Sequence, residues 1–292
     1  MRIVVICEHL PGLSPQQACS ILAENLANHE VTEFFIPSGT QGTADSFRGT
    51  RITLPTVDPT GRLIESTYVF DKEINQAYID LSDSPCDPKR ADTYGTGVLI
   101  ADAVTRGATR ITLATGGVHT RDAGTGILIA LGAQPIDAAG HPVPQGLEGL
   151  PLIDDIDTAQ LNIPAACVDW LLLTDGAPYS ANEIFAEFCG LHSELGAGLA
   201  ITWLSKLMHG TTEHVVTIPA SQAALASLAT SDILQHHDAA LLITGPTPTV
   251  TEELLTNLGA TNIAHIVVED DATLDSKLPQ IREFAATLTP WQ

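Results

Sequence analysis

Two glycine-rich segments hold the residue types best suited to chemistry. The first, Asp92-Thr93-Tyr94-Gly95-Thr96-Gly97, precedes a stretch with helical apolar spacing. Glycine permits close backbone approach, and the N–H groups of a helix start converge with the helix dipole, so such a turn suits an anionic ligand. Taken alone, it is as often a packing device. The second segment, Gly116 to Gly126 (GGVHTRDAGTG), joins an apolar strand to a helix, where open α/β sheets place ligands. Within it, Arg121 can grip a carboxylate or phosphate through two parallel hydrogen bonds. His119 is a candidate acid or base, although a lone loop histidine more often faces solvent. Asp122 either caps the following helix or faces a substrate or metal. The loop lacks the Gly-Lys-Ser/Thr of a nucleotide phosphate loop and does not sit in the first βα turn, where a dinucleotide fingerprint belongs.

Other groups read more plainly as structure. Asp154-Asp155-Ile156-Asp157 lacks the glycine and distal glutamate of a calcium loop. His236-His237 and the spaced pair His209 and His214 lack zinc-protease spacing. Ser193 lacks a hydrolase elbow, and Trp170 and Trp203 suit a core or an interface. A carboxylate–metal hydrolase built on Asp122 with Asp169 or Asp175 would require those side chains to reach a common point.

The elements that must position these residues alternate. Arg2 to Cys7 reads as a buried parallel strand, Ser14-Pro15 starts a helix running to about Asn28, and Val31 to Ile36 is a second strand. Arg51 to Val57 and Arg62 to Phe70 alternate apolar and polar residues around Asp58-Pro59-Thr60-Gly61, the signature of a hairpin. Gln76 to Leu81 reads as a strand, Tyr94 to Arg106 as a helix closed by Gly107, and Arg110 to Thr115 as a strand. Gln134 to Val143 suggests another hairpin, and 144–164 looks irregular. Further helices are expected at Ala181–Cys189, Leu199–His209, Ser221–Ala229, Thr251–Leu258 and Leu274–Leu288, with strands at Ala239–Thr244 and Ile263–Val268.

The 292 residues are 44% hydrophobic and 16% charged, which is globular composition with room for two lobes. With 13 Lys+Arg against 35 Asp+Glu, the formal charge is −22, which repels nucleic acid and anionic membranes. No apolar run approaches the ~20 residues of a membrane helix. The chain opens directly on a strand without a signal-like segment, and its five cysteines are dispersed; a reduced, cytoplasmic setting is expected. Only Lys206, Lys277 and Arg282 follow Arg121 as basic residues. An anion held by the second half must therefore rely on backbone N–H groups, helix starts or a metal. Self-association as a homo-oligomer is compatible with this composition.

At this point the sequence resembles the class I glycerate kinase family, which phosphorylates glycerate with ATP and Mg²⁺. Family members carry Ser/Thr-Tyr-Gly-Thr-Gly-Glu-Leu-Ile and, after a helix and strand, Gly-Gly-Ser-Ala-Thr-Asn-Asp-Gly-Gly-Ala-Gly. This chain has Thr93 to Ile100 (TYGTGVLI) and Gly116 to Gly126 at the same spacing, followed by Ala130-Leu131-Gly132-Ala133. Weaker matches lie at Met1 to Gly12, Ile36 to Thr43, Leu195 to Leu199 and Leu241 to Gly245.

The resemblance implies an α/β fold of two lobes, one doubly wound and Rossmann-like, the other a second α/β lobe. Residues 1–70 and 236–292 would form the first lobe, discontinuously, and 71–235 the inserted lobe with the glycine loops. It implies Asp122 and Glu8 as catalytic carboxylates. It points to Gly95, Thr96, Gly97, Gly116, Gly117, His119, Thr120, Arg121 and Gly124 as the binding set for a small-molecule anion; Arg121 as a phosphate clamp, and Asp122 with Asp169 as metal-binding carboxylates, would in part compensate for charges the chain lacks. ATP and Mg²⁺ would be needed if the chain is active, and no cofactor otherwise.

The chain is also shortened and divergent. Glu8 and Pro11 stand where the family has Asp and Lys, Ser38 and Gln41 where it has Asp and Glu, Val98 for Glu and Arg121 for Asn, and Gly245 to Val250 has lost its charged groups. Phosphoryl transfer depends on such charges, so degraded catalysis is expected. The alternative is a non-catalytic homologue that binds a small anion or regulates.

Overall fold

The computed structural model describes every residue except 11–12, 82–85, 177–181, 231, 270–272 and 289–292. Pro11 and the expected helix start at Ala181 fall outside the described residues. The chain runs β1 (Arg2–Cys7), α1 (Pro15–Asn25), β2 (Glu30–Phe35), β3 (Thr50–Val57), β4 (Leu63–Asp71), β5 (Gln76–Asp80), α2 (Tyr94–Thr105), β6 (Arg110–Ala114) and α3 (Thr125–Ala130). It continues through β7 (Gln134–Ile136), β8 (Asp155–Asp157), α4 (Ile163–Ala166), β9 (Asp169–Thr174), α5 (Glu183–Cys189), α6 (Gly198–His209) and β10 (Val215–Pro219). The last elements are α7 (Ala220–Thr230), β11 (Ala239–Thr244), α8 (Glu252–Asn257), β12 (Ile263–Val267) and α9 (Leu274–Thr287).

These elements form two compact units, Met1–Ser38 with Ala220–Gln292, and Gly39–Pro219. The first is a four-stranded parallel sheet in the order β12-β11-β1-β2. Its strands are apolar because both faces are covered. One face packs Ile3, Val5 and Leu241 against α1 and α9, the other Val4, Ile6 and Leu242 against α7 and α8. Ser14 begins α1 with a reciprocal capping box to Gln17 and Pro15 in the first turn.

The second unit is a six-stranded mixed sheet, β10-β9-β6-β5-β4-β3. Here the expected boundary at 70/71 is corrected. The 51–70 hairpin belongs to this unit, because β4 pairs antiparallel with β5 at Val69–Tyr78 and β5 runs parallel to β6. The second boundary likewise falls at Pro219/Ala220 rather than at 235/236. The stretch expected to be irregular contains β8, which pairs antiparallel with β7, and the short helix α4. Two parallel strands, β9 and β10, went unread in the sequence. Trp170 on β9 is 2% exposed and fills the core.

Candidate functional site

In the second unit the two glycine segments meet. Thr93 lies in the first, immediately before α2; Asp122 lies in the second, just before α3. Oδ2 of Asp122 accepts from the Thr93 amide at 2.9 Å, the Thr93 hydroxyl at 2.8 Å and the Gly126 amide at 2.9 Å, while Oδ1 takes the Gly124 amide at 3.2 Å. The Thr93 hydroxyl in turn accepts from the Ile127 amide at 3.1 Å. Asp122 is 0% exposed. Burial pushes its pKa above the usual carboxylate range, and the four donors pull it back. The side chain ties both glycine segments together and presents no free edge to a ligand.

The glycines divide by role. Gly97 and Gly126 let α2 and α3 approach closely: a Cβ on Gly97 would lie 2.5 Å from Ala130 Cβ, and one on Gly126 2.4 Å from the Tyr94 amide. Gly124 takes φ +84 and would drive a Cβ to 2.2 Å from the Ala197 carbonyl, so a side chain fails there on backbone and on space. The Gly116 amide donates to the Gly39 carbonyl, and the Gly117 amide to Asp175 Oδ2. The amides expected to cradle an anion in the second segment are thus largely occupied by the protein itself. His119 and Arg121 are exposed, and no ion pair to Arg121 occurs among the described residues.

A shallow recess, open to solvent, lies beside the α2 start, lined by Val57, Pro59, Leu81, Asp92, Thr93, Gly95, Thr96 and Thr120. The β3–β4 hairpin builds one wall. In its turn Asp58 accepts the amides of Thr60 and Arg62, the Thr60 hydroxyl and Arg62 Nε, and bonding to Thr60 above all holds its pKa down at about 2. The turn also supplies the Pro59 carbonyl that accepts the Asp92 amide. Gly95, Thr96 and Thr120 of the expected binding set therefore share one recess. Asp92 joins them, and only its adjacency to Thr93 hinted at it in the sequence.

Two expected carboxylates stand elsewhere. Asp169 opens β9, at the strand end opposite the glycine loops, and binds His214 Nδ1 at 2.8 Å. Strand direction thus rules out the expected metal role at this site: the six residues of β9, at roughly 3.3 Å each, separate Asp169 from Asp175. The hydrolase arrangement of Asp122 with Asp169 fails for the same reason. Glu8 lies in the first unit, just past β1, and its Oε1 accepts the amides of Thr249 and Val250 and the Thr249 hydroxyl. It pins a loop. Among the described residues no group of three or more His, Cys, Asp or Glu is placed to hold a metal ion, and no helix is long and apolar enough to cross a membrane.

Asp80 and Asp92 are both raised to about 6, chiefly by burial. Asp80 holds the amides of Gly42 and Ala44. Between pH 4 and 6 the folded chain keeps protons on these groups that the unfolded chain has released, so stability falls as pH rises through that window. The urea midpoint is expected to drop from pH 5 to pH 7, each group contributing on the order of 1–3 kcal/mol. The variant carrying Asp80→Asn and Asp92→Asn should show a flatter pH slope; an unchanged slope would assign it to other groups.

An α/β fold of two units, one parallel and one mixed, with two glycine segments joined at helix starts, defines the class. The chain belongs to the glycerate kinase family, whose model matches residues 3–180. The uncharacterized protein slr1840 of Synechocystis is 32% identical over 180 residues, 55% of this chain and 48% of that protein. A glycerate kinase of Halalkalibacterium halodurans is 29% identical over 143 residues, 44% of this chain and 38% of that protein. The glycerate 2-kinase of Escherichia coli is 41% identical over 76 residues, 26% of this chain and 20% of that protein. The chain spans about half the length, or less, of these curated relatives. A solved structure assigned as glycerate kinase 2 of Salmonella typhimurium LT2 has the same fold, with a TM-score of 0.74, 17% identity and 98% of both chains covered.

Proposed function

We propose that this protein binds glycerate or a related small hydroxy acid in the recess at the α2 start, and phosphorylates it with ATP and Mg²⁺ far more slowly than a kinase with a full set of charges. The observation that carries this reading is the recess itself, whose polar lining comes from both glycine segments. The two segments offer a nucleotide triphosphate few free donors, which accounts for the slow turnover proposed. The amides of Gly116, Gly117, Gly124 and Gly126 already have protein acceptors, and Arg121 is the one cation the segments contain.

Losing one preorganised charge stabiliser slows chemistry by about 10²–10³. Turnover with glycerate, ATP and Mg²⁺ is expected below about 0.1 s⁻¹, against 1–100 s⁻¹ for ordinary kinases. A coupled ADP-release assay checks the rate, and calorimetry with glycerate checks binding. Turnover in the ordinary range would reject the slowed chemistry, and absence of glycerate binding would reject the site.

A second reading, a non-catalytic binding or regulatory homologue, is favoured by Asp122, whose carboxylate is wholly engaged by the fold. It expects glycerate to raise the melting temperature with no product formed, since a ligand of the folded state alone stabilises it.

A further inference from the structure

We propose that the outer edge of β10 is a docking surface for a second copy of this chain, the two β10 strands pairing antiparallel across a two-fold axis. β10 closes one side of the six-stranded sheet. It pairs with β9 from Val215 opposite Trp170 to Pro219 opposite Thr174, and among the described residues no strand lies on its other side. Such an edge presents a row of backbone donors and acceptors to any strand that approaches it, and proteins blunt it with charge or proline. Every other outer strand of the described sheets carries an ionisable side chain or an interior proline. β2 has Glu30 and Glu33, β3 has Arg51 and Pro55, and β12 has His265 beside Glu252. In the two-stranded pair, β7 has Pro135 and β8 has Asp155 and Asp157. β10, Val215-Val216-Thr217-Ile218-Pro219, has no ionisable side chain, and its proline is its last residue.

The edge is apolar on both faces of the sheet. Val215 packs toward the core that α6 covers, so strand alternation turns Val216 to the opposite face, where it is 50% exposed. α6 packs on β10, and Leu207 in its last turn is 49% exposed. The missing charge decides the occupant. Two copies with a formal charge of −22 each repel one another over most of their surface, and a neutral strip is where they can touch. A basic partner would find no acidic group on β10 to meet. A second copy brings the same edge, so a single two-fold contact pairs both strands and covers Val216 in each. A pair of five-residue strands is smaller than a standard interface of about 1,200–2,000 Å². Association is therefore weak and reversible, and it strengthens as salt screens the like charge.

The test is sedimentation velocity of the full chain across the micromolar range, with hydrogen exchange at both ends of that range. The mass is expected to rise with concentration from that of one chain toward that of two. It should rise further as salt goes from about 0.1 M to about 1 M, where the screening length falls from about 10 Å to about 3 Å. Amides of β10 should exchange at least about tenfold more slowly in the dimer, while those of β3 keep their rate. Val216→Lys sets two like charges against each other at the axis and should weaken the dimer at least about tenfold. Leu63→Lys, at a site 79% exposed on β4 toward the far side of the sheet, should leave it unchanged. A single-chain mass at every concentration and salt overturns the proposal. So does a dimer whose β10 amides exchange as in the monomer, or whose strength Val216→Lys leaves intact. A dimer that salt disperses would be held by charge and likewise overturns it. If Val216→Lys does not fold, the exchange pattern of the parent chain decides alone.

Discussion

Asp122→Ala is expected to lower the stability of the second unit by about 3–5 kcal/mol, the range for breaking a fully buried charged network. The substitution strands the amides of Thr93, Gly124 and Gly126 and the Thr93 hydroxyl in a site with no access for water. Asp122→Asn should cost less, about 1–2 kcal/mol, because one oxygen can still serve the three donors on Oδ2 and only the long 3.2 Å bond from Gly124 is lost. Urea denaturation of the three proteins measures both values. A carboxylate kept for chemistry alone would give the reverse pattern, with activity lost and stability kept. Near-parent stability in Asp122→Ala would therefore end the view of this residue as the tie between the glycine segments.

Gly95→Ala is expected to cost about 3 kcal/mol, or roughly 6–12 °C in melting temperature, and to abolish glycerate binding. Its Cβ would lie 1.9 Å from the Val57 carbonyl oxygen, a backbone atom that cannot yield without moving β3. The Thr56 hydroxyl, which donates to the Gly95 carbonyl at 2.9 Å, would shift with it. Gly107→Ala is the control: at φ +100 with nothing within 4 Å, it carries only left-handed strain, about 1–2 kcal/mol, and lies away from the recess. Calorimetry and thermal unfolding of both variants separate crowding at the recess from general backbone strain. Binding retained in Gly95→Ala would mean that the start of α2 does not shape the site.

What the sequence made legible was local. The Ser14-Pro15 start, the Asp58-to-Gly61 turn and both glycine segments depend on residues within a few positions of one another, and each lies where its own chemistry puts it. What escaped depended on partners distant along the chain. The hairpin looked like part of the first lobe because its pairing with β5 is a matter of register. β9 begins with a charged residue, and β10 is short, half exposed and closed by Pro219, so neither carried a clear period. At Asp122 the sequence allowed a cap or an open carboxylate, and only the 29-residue separation from Thr93, closed by the fold, decided between them. The recess draws on residues from Val57 to Thr120, and no spacing rule joins them.

The second unit is one uninterrupted stretch, Gly39–Pro219, set within the first. Its interior is complete once residue 219 has been made. The sheet of the first unit is not: β1 lies between β2 and β11, and Val5 must wait for Leu241. On the ribosome, where domains generally fold as they are released, the inserted unit is finished while one edge of β1 still stands bare. The last strands, β11 and β12, then arrive to close that edge, so the earliest-made strand is among the last to be fully enclosed.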